Sequence, residues 1–326
     1  RYLDLIMNPE VQKTFIKRSK IITNIREFLN ERDFIEVETP ILNVVPGGAA
    51  AKPFITHHNV LDLDLYLRIA PELYLKQLII GGFDKVYELG RNFRNEGMSV
   101  KHNPEFTMME LYQAYTDLHG MMDLTETLIG ELALKTNGSY EVEWEGETIS
   151  LEPPFERMTM LDAVKKYADI DFTELDSLDE AKEEAKKRGL EVEDAQTMGD
   201  MLNLFFEEYV EPNLIQPTFI HDYPIEISPL AKKKAGSDSI TERFELFVGG
   251  REIANAYTEL NDPDDQAERF AMQGKKRAAG DEETYYADED FLKALQYGMP
   301  PTGGLGIGID RLIMLLTGEE SIRDVL

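Results

Sequence analysis

Two separate segments of this chain repeat polar and aromatic side chains at every second position, the period of a β-strand. The first lies within residues 104–115 and consists of Phe106, Met108, Glu110 and Tyr112. The second lies within residues 242–260 and consists of Asn255, Tyr257 and Glu259. Because successive side chains of a strand point to opposite faces, each set shares one face of a sheet. The fold must therefore accommodate sheet faces that carry acids and aromatic rings together.

The carboxylates in these strands need a partner, because a buried carboxylate is costly unless it meets a cation. For Glu110 the partner is either Arg94 on the preceding strand, as an internal ion pair, or a cationic ligand. Glu259 and Glu72 favour the ligand, because with Glu110 they form a pocket of three carboxylates. Each close charge pair is worth about 4 kcal/mol at about 4 Å in an effective dielectric near 20, before desolvation. Such a pocket favours a ligand with two ammonium groups and repels an acidic one.

The order of predicted elements indicates an α+β fold on a mainly antiparallel sheet, because strands and helices follow one another without a regular β-α-β alternation. Helices are predicted over residues 9–33, 71–80 and 118–136, and strands over residues 35–39, 85–94, 104–115, 140–151 and 242–260. Residues 159–212 are predicted to be helical, inside an insertion of approximately residues 159–240. Residues 262–297 are predicted to be a charged, helical segment. The whole chain, residues 1–326, is interpreted as one domain with an insertion.

Charge and composition limit the partners of the chain. The net charge is −28, from 62 acidic and 34 basic residues, which disfavours an extended nucleic-acid surface because phosphate contacts need Lys and Arg. Cysteine is absent, which excludes disulfides and thiolate metal sites and is compatible with a reducing compartment. No apolar run approaches the roughly 20 residues that span a bilayer. We therefore expect a cytoplasmic protein without a membrane partner, and any contact with nucleic acid should be local.

A pair of acids flanks a predicted hairpin turn. Glu245 and Glu252 stand on either side of Gly249-Gly250, which suits a two-residue turn. Their carboxylates fit Mg²⁺, which proteins bind through one or two carboxylates plus phosphates; the alternative is an exposed hairpin on the surface. Strict alternation places Glu252 and Asn255 on opposite faces, so a common site for them requires a β-bulge between them.

A glycine-rich run precedes the last long predicted helix. Residues 303–311 contain Gly303, Gly304, Gly306 and Gly308, and Arg311 stands at the start of the helix. A helix N-terminus attracts anions, and an arginine there adds bidentate phosphate binding; the alternative is a tight turn with an exposed arginine. Neither G-x-x-x-x-G-K-[ST] nor G-x-G-x-x-G is present. A nucleotide bound here must therefore use a cradle other than those of parallel sheets.

Taken in chain order, these segments resemble the class II lysyl-tRNA synthetases over nearly the whole chain. Residues 34–40 (FIEVETP) are similar to motif 1, the dimer element of that class. Residues 93–112 are similar to motif 2, and residues 303–311 with the following helix are similar to motif 3. The resemblance implies the catalytic fold of the class and a homodimer. It also leads us to expect the catalytic core without the N-terminal anticodon-binding domain of the family.

The resemblance implies a role for each motif residue. Arg94 would hold the α-phosphate of ATP and the carboxylate of the amino acid, and Arg311 would reach the γ-phosphate. Other contacts with ATP would come from Glu96, His102, Asn103, Phe106 and Glu245. Glu245 and Glu252 would hold Mg²⁺. Contacts with lysine would come from Gly48, Glu72, Arg94, Glu110, Tyr112, Asn255, Tyr257 and Glu259, of which Tyr112 and Glu259 would bind the ε-ammonium group.

The implied reaction is activation of L-lysine with ATP and Mg²⁺ to lysyl-adenylate, followed by transfer to tRNA(Lys). Aspartyl and asparaginyl relatives share the three motifs, but an aspartate pocket needs a cation where this chain has Glu259 and Tyr112. Lys101 stands where the family usually has arginine, which predicts a weaker contact with the nucleotide.

Two other functions are compatible with the same motifs. One is a related enzyme that attaches a lysine-type group to a protein; such relatives carry a bulkier residue at the position of Gly306, so the glycine favours ordinary lysine. The other is a non-catalytic module on the same fold. The presence of both Arg94 and Arg311 disfavours that module, which would be expected to lose one of the two arginines.

Overall fold

The computed structural model of this chain describes residues 1–278 and 284–326. Its strands are β1 (Ile35–Glu36), β2 (Leu42–Asn43), β3 (Ile55–His58), β4 (Leu63–Leu67), β5 (Lys85–Phe93), β6 (Glu105–Ala114), β7 (Glu141–Trp144), β8 (Glu147–Ser150), β9 (Glu156–Thr159), β10 (Thr218–His221), β11 (Arg243–Val248), β12 (Arg251–Thr258) and β13 (Thr302–Gly308). Its helices are α1 (Tyr2–Met7), α2 (Pro9–Asn30), α3 (Glu72–Ile80), α4 (Leu118–Asn137), α5 (Met160–Ala168), α6 (Leu178–Lys187), α7 (Met198–Phe205), α8 (Pro263–Ala278), α9 (Glu289–Gln296), α10 (Ile309–Thr317) and α11 (Ile322–Val325).

The main sheet has eight strands in the order β1-β5-β6-β13-β12-β11-β10-β9. All neighbours are antiparallel except the pairs β1–β5 and β9–β10. The predicted α+β class with a mainly antiparallel sheet is therefore confirmed. Helices α2, α4 and α10 cover one face of the sheet through a continuous apolar core. The opposite face of its central strands forms the floor of a cavity.

Alternation sorts the side chains of the central strands between these two faces, as predicted. Met109 and Leu111 of β6 and Ala256 of β12 belong to the apolar core. The intervening side chains line the cavity instead: Phe106, Met108, Glu110, Tyr112, Asn255 and Tyr257. Strand pairing then brings the two polar faces together, since β13 lies between β6 and β12 and contributes mainly glycines.

The predicted bulge occurs in β12 and decides where Glu252 points. Phe247 of β11 pairs with Glu252, whereas the next pair joins Leu246 to Ala254, so that Ile253 is an extra residue in β12. Ile253 is buried, and both Glu252 and Asn255 line the cavity. A bulge adds one residue to one strand and so changes the face of every side chain beyond it.

The predicted strand over residues 35–39 is too long, because only Ile35–Glu36 pairs with β5. After a last backbone hydrogen bond from Val37 to Tyr87, a side chain takes the place of a strand partner. The backbone nitrogen and the hydroxyl of Thr39 both donate to Glu88 Oε2, at 3.1 and 2.6 Å. The preceding helix also ends earlier than predicted, at Asn30.

The helices between β9 and β10 have an apolar core of their own, which includes Met160, Val164, Met201 and Phe205. The predicted helical character of residues 159–212 is confirmed, while the limits of an insertion at residues 159–240 stay a prediction. The predicted helical segment 262–297 consists of α8 and α9, and residues 279–283 between them lie outside the described residues. No helix of the described ranges is long and apolar enough to cross a membrane.

Candidate active site

The candidate site is a cavity of about 360 Å³ on the open face of the main sheet. Residues of β6, β11, β12 and β13, the loop between β5 and β6, the start of α3 and the loop after β2 form its walls. Every residue that the sequence predicts for the site lines this cavity: Gly48, Glu72, Arg94, Glu96, His102, Asn103, Phe106, Glu110, Tyr112, Glu245, Glu252, Asn255, Tyr257, Glu259 and Arg311. The fold therefore brings all of them together, while their individual roles stay predictions.

One end of the cavity holds three buried carboxylates, those of Glu72, Glu110 and Glu259, which are 5%, 5% and 1% exposed. The tyrosines of the same strands bind two of them. Tyr257 donates its hydroxyl to Glu72 Oε1 at 2.6 Å, and Tyr112 donates to Glu110 Oε2 at 3.2 Å. The predicted acidic pocket is thus present, with its acids supplied by α3, β6 and the end of β12.

Two glycines make room for this acidic end. Gly48 has a left-handed φ of +83°, and a Cβ there would lie 2.9 Å from Glu72 Cβ. A Cβ on Gly304 of β13 would lie 1.9 Å from Glu259 Oε1 and 2.6 Å from the ring of Tyr112. Only glycine fits at these positions without moving a pocket side chain.

A buried cation, Lys76, stands among the acids and is absent from the set of residues predicted from the sequence. Its ammonium nitrogen lies 2.5 Å from Glu72 Oε1 and 2.5 Å from Glu259 Oε2, and the side chain is fully buried. From the sequence, Arg94 is the one internal partner proposed, and for Glu110 only, so Lys76 is a cation that the sequence prediction missed. The sequence carried one signal for Lys76, because it lies four residues after Glu72 on a predicted helix, where side chains meet.

The buried ion pair and the third acid differ in their electrostatics. Burial lowers the pKa of the Lys76 ammonium, but Glu259 and Glu72 outweigh this effect and the net direction is upward. Burial, together with the charge of Glu72, raises the pKa of Glu110 to about 8, although the hydrogen bond from Tyr112 opposes the shift. Within the described residues Glu110 forms no ion pair, so it is the acid most ready to accept an external cation.

Arg94 does not pair with Glu110, which removes one of the two alternatives left open by the sequence. Its guanidinium carbon lies 5.1 Å from the centroid of the Phe106 ring. Its Nε is buried and has no hydrogen-bond partner within the described residues. Because a buried guanidinium nitrogen needs an acceptor, Arg94 is poised for an anionic ligand in the cavity.

The opposite end of the cavity is basic and contains Arg311 and His102. Arg311 follows the N-cap of α10, and its Nη1 donates to the Glu252 carbonyl at 2.8 Å. His102 Nδ1 lies 2.8 Å from the Ser99 hydroxyl. Burial, with the charges of Arg311 and Lys101, lowers the pKa of His102. This end of the cavity suits the phosphates of a nucleotide, since a helix N-terminus and arginines bind anions.

Glu245 and Glu252 lie at the border of the basic end. Glu245 accepts a hydrogen bond from Tyr223 at 2.9 Å and pairs with Arg243 at 2.6 Å. Burial raises the pKa of Glu245 to about 7, with Arg243 opposing and the nearby charge of Glu252 adding to the shift. Two carboxylates that repel each other beside a phosphate site fit Mg²⁺. No group of three or more His, Cys, Asp or Glu able to hold a metal occurs in the described part of the chain. The Mg²⁺ site therefore stays a prediction.

Arg243, whose side chain is 15% exposed, is a second cation that the predicted set lacks. Besides Glu245, it binds Asn255 through Nε at 3.1 Å and the Ile227 carbonyl through Nη1 at 2.7 Å. It therefore orients both the predicted metal ligand and the predicted carboxylate contact. The signal in the sequence is alternation, because Arg243 and Glu245 share one face of β11.

Lys101 is expected to make a weaker nucleotide contact than an arginine. In the structure it pairs with Glu211, a residue that does not line the cavity. Its ammonium lies 3.1 Å from Glu211 Oε1, on the segment between α7 and β10. This ion pair ties the loop between β5 and β6 to the helical region. The weaker nucleotide contact itself stays a prediction.

The chain matches a known protein family. The model of the family described as "tRNA synthetases class II (D, K and N)" matches residues 1–326. The chain therefore belongs to the class II tRNA synthetases of this group. It is 60% identical over 326, 328 and 329 residues to proteins named lysine--tRNA ligase from Thermoanaerobacter pseudethanolicus, Pelotomaculum thermopropionicum and Clostridium novyi, respectively. These alignments cover 100% of this chain but 65%, 65% and 64% of the relatives, so the chain spans slightly less than two thirds of their length.

Proposed function

We propose that this chain is the catalytic part of a lysine--tRNA ligase, which activates L-lysine with ATP and then transfers it to tRNA(Lys). The observation that carries the proposal is the acidic end of the cavity, where Glu72, Glu110 and Glu259 converge. Aspartate and asparagine, the other amino acids of the group, place a carboxylate or a neutral amide where this pocket offers acids. Lysine places an ammonium group there, so charge complementarity selects it. The use of ATP and tRNA leads us to expect the cytoplasm as its location.

In the proposed complex, lysine spans the acidic end and its carboxylate faces Arg94. Glu72 and Glu110, with Gly48 beside them, receive the α-ammonium group. Tyr112 and Glu259 receive the ε-ammonium group. Tyr257 packs along the methylene chain and Asn255 assists at the carboxylate.

ATP occupies the basic end of the cavity in this proposal. Phe106 stacks on the adenine ring, with Glu96, His102 and Asn103 at the nucleotide. Arg94 bridges the α-phosphate and the lysine carboxylate, and Arg311 binds the γ-phosphate. A carboxylate oxygen of lysine attacks the α-phosphorus, and the bond from that phosphorus to the pyrophosphate oxygen breaks. The attacking carboxylate is already ionised, so this step needs no general base, and catalysis rests on positioning and on neutralising charge.

Mg²⁺ would be held by Glu245 and Glu252 and, when bound, would neutralise negative charge on the phosphates. Arg243 keeps Glu245 in place on β11 at 2.6 Å. In the second step, the terminal hydroxyl of tRNA takes the lysyl group from the adenylate and AMP leaves. With a net charge of −28, the chain offers few cations for tRNA, so we expect weak transfer by this chain alone.

The test is ATP–pyrophosphate exchange with lysine, aspartate and asparagine, followed by charging of tRNA(Lys). We expect exchange with lysine only. Exchange with aspartate would refute the pocket argument, and no exchange with any amino acid would favour a non-catalytic module. Exchange with lysine that never leads to tRNA charging, even with an anticodon-binding domain fused to the chain, would favour a protein as the acceptor.

We also propose a homodimer through the segment that resembles motif 1. Ile35 of this segment is exposed, and so are Val44, Ile55 and Val60 in the residues that follow it, with Val60 88% exposed. Large apolar side chains that face solvent along one stretch of chain support a protein interface there.

A further inference from the structure

Lys76 lies behind the acidic wall of the cavity. Its neighbours Glu72, Tyr257 and Glu259 line the cavity, whereas Lys76 does not. Its ammonium nitrogen lies 5.5 Å from the centroid of the Tyr257 ring and 5.6 Å from that of Phe291. The side chain is therefore enclosed by protein and reaches the ligand only through the two carboxylates that it bridges.

The bridge engages one oxygen of each carboxylate and leaves the other oxygen unused. Lys76 and Tyr257 both bind Oε1 of Glu72. On Glu259, neither oxygen accepts a hydrogen bond within the described residues; Oε2 lies 2.5 Å from the Lys76 ammonium, while Oε1 is buried over Gly304. A buried acceptor without a partner is costly in the absence of a ligand. Glu259 Oε1 thus points to an external donor, which in the proposed complex is the ε-ammonium group.

The charges of the pocket and of the proposed ligand balance only if the pocket contains a cation of its own. Glu72, Glu110 and Glu259 carry three negative charges when ionised, whereas lysine brings two ammonium groups to this end of the cavity. The buried ammonium of Lys76 offsets one of the three negative charges. The remaining two equal the charge of the two ammonium groups of lysine. Without it, a carboxylate would lack a cation in a low-dielectric site, and it would be neutralised by a proton instead.

We propose that Lys76 is a positioning residue that determines specificity by acting as a resident third ammonium of the lysine pocket. It holds Glu72 and Glu259 as carboxylates, with one oxygen of each directed to the substrate. Once Glu110 is ionised, the pocket then keeps two negative charges for the two ammonium groups of lysine. This inference rests on the proposed function and adds a residue that does not touch the substrate. Within the described residues, the titratable groups that face Lys76 are Glu72 of α3, Tyr257 of β12, Glu259 directly after β12, and Tyr285.

The test compares lysine with norleucine, which has the same carbon chain and α-ammonium group but no ε-ammonium group, in ATP–pyrophosphate exchange by the full chain. Lys76→Met removes the charge and keeps the length of the side chain. We expect kcat/KM for lysine to fall on the order of 100-fold, mainly through KM, because one partner of a buried charge pair is lost. The KM for ATP should not change, and norleucine should be used at least as well as before. The pH at which lysine use reaches half its maximum should rise.

Lys85→Met is the matched control. Lys85 Nζ donates to the Arg32 carbonyl at 2.9 Å, away from the cavity, so the ratio of lysine to norleucine should not change. If folded Lys76→Met protein keeps its lysine-to-norleucine ratio and its pH profile, Lys76 has only a structural role between α3 and β12, and the inference is overturned.

A double variant covers the case in which Lys76→Met alone does not fold. Lys76→Met combined with Glu259→Gln removes one cation and one anion, so it should fold. In the Glu259→Gln background, Lys76→Met should change the lysine-to-norleucine ratio by less than about threefold, since residues that act as a pair are not additive. Additive effects, or a double variant that also fails to fold, would refute the inference. Absence of lysine-dependent exchange in the unaltered chain refutes the proposed function itself and is therefore distinguishable.

Discussion

At the scale of single residues, some charged side chains of the cavity form ion pairs with other protein side chains, and others do not. Glu72 and Glu259 share Lys76, and Glu245 is bound by Arg243 and Tyr223. Glu110 and Arg94, by contrast, form no ion pair within the described residues although both line the cavity. When Glu110 is ionised, these two residues carry opposite charges, as the α-ammonium and carboxylate groups of an amino acid do, and they should then dominate its binding.

The raised pKa of Glu110 predicts that lysine use depends on pH. Burial and the charge of Glu72 raise this pKa to about 8, so below pH 8 the carboxyl is largely protonated and cannot bind the α-ammonium group as an anion. We expect kcat/KM for lysine to rise by up to about tenfold per pH unit below that value and then to level off. Exchange rates between pH 6 and about 9 measure this. Glu110→Gln should lower kcat/KM and remove the slope; a slope that persists in the variant would assign it to another group.

Arg94→Ala should reduce adenylate formation about 1000-fold, because it removes a preorganised cation from the place where charge develops. Arg91→Ala, three residues earlier on β5, is the control, since Arg91 forms a solvent-exposed ion pair with Glu105 at 3.4 Å. Single-turnover formation of adenylate measures the effect. A rate for Arg94→Ala that equals the rate for Arg91→Ala would rule out the proposed role.

At the scale of elements, the β11–β12 hairpin assembles the predicted metal site. Gly249 and Gly250, with φ values of 60° and 66°, form its turn, and the extra residue Ile253 turns Glu252 to the face that also carries Asn255. Helix α3 has a comparable role at the acidic end, where one turn separates Glu72 from Lys76. In both cases a local backbone feature sets which charged groups meet in the cavity.

Glu252→Gln should raise the Mg²⁺ concentration that gives half-maximal exchange by about tenfold, a change of the size seen when ligand shells are altered. The physical reason is the loss of one of two carboxylates beside the phosphates. Glu147→Gln on the exposed strand β8 is the control. An unchanged Mg²⁺ requirement in Glu252→Gln would show that the metal is held elsewhere.

At the scale of the whole molecule, the sheet presents two faces with different tasks. One face is closed by α2, α4 and α10 in a continuous apolar core, which holds the strands rigidly. The other face carries the cavity, with acids at one end and arginines at the other. Strands held in register by a packed core keep these charges at fixed separations, which is what catalysis by positioning requires.

The exposed apolar side chains of residues 35–63 predict self-association. Val60→Asp combined with Ile55→Asp should shift the chain from dimer toward monomer, because two buried charges without partners oppose the interface. Sedimentation velocity across a range of protein concentrations measures this shift. Tyr297→Asp, at a position that is 81% exposed outside this segment, should leave the association unchanged, and a monomeric unaltered chain would contradict the proposal.

Much of the site follows from local rules that the sequence states directly. The period of two in residues 106–112 and 255–259 determined which side chains share a face, because successive side chains of a strand point to opposite faces. The mismatch between Glu252 and Asn255 likewise predicted the bulge. The length of β1 did not follow from such rules. Thr39 donates its hydrogen bonds to the Glu88 side chain of β5, in place of the backbone pairing that the predicted strand requires.

The sequence by itself determined the α+β class, the faces of the central strands and the residues that gather in the cavity. Only the tertiary structure decided how the charges pair: that Lys76 bridges Glu72 and Glu259, that Arg94 pairs with no acid of the described residues, and that Lys101 binds Glu211. The physical reason is that periodicity acts between neighbours in the chain, whereas an ion pair depends on distance in space. Segments far apart in sequence meet only when the sheet is assembled, and burial then decides which of the possible pairs is formed.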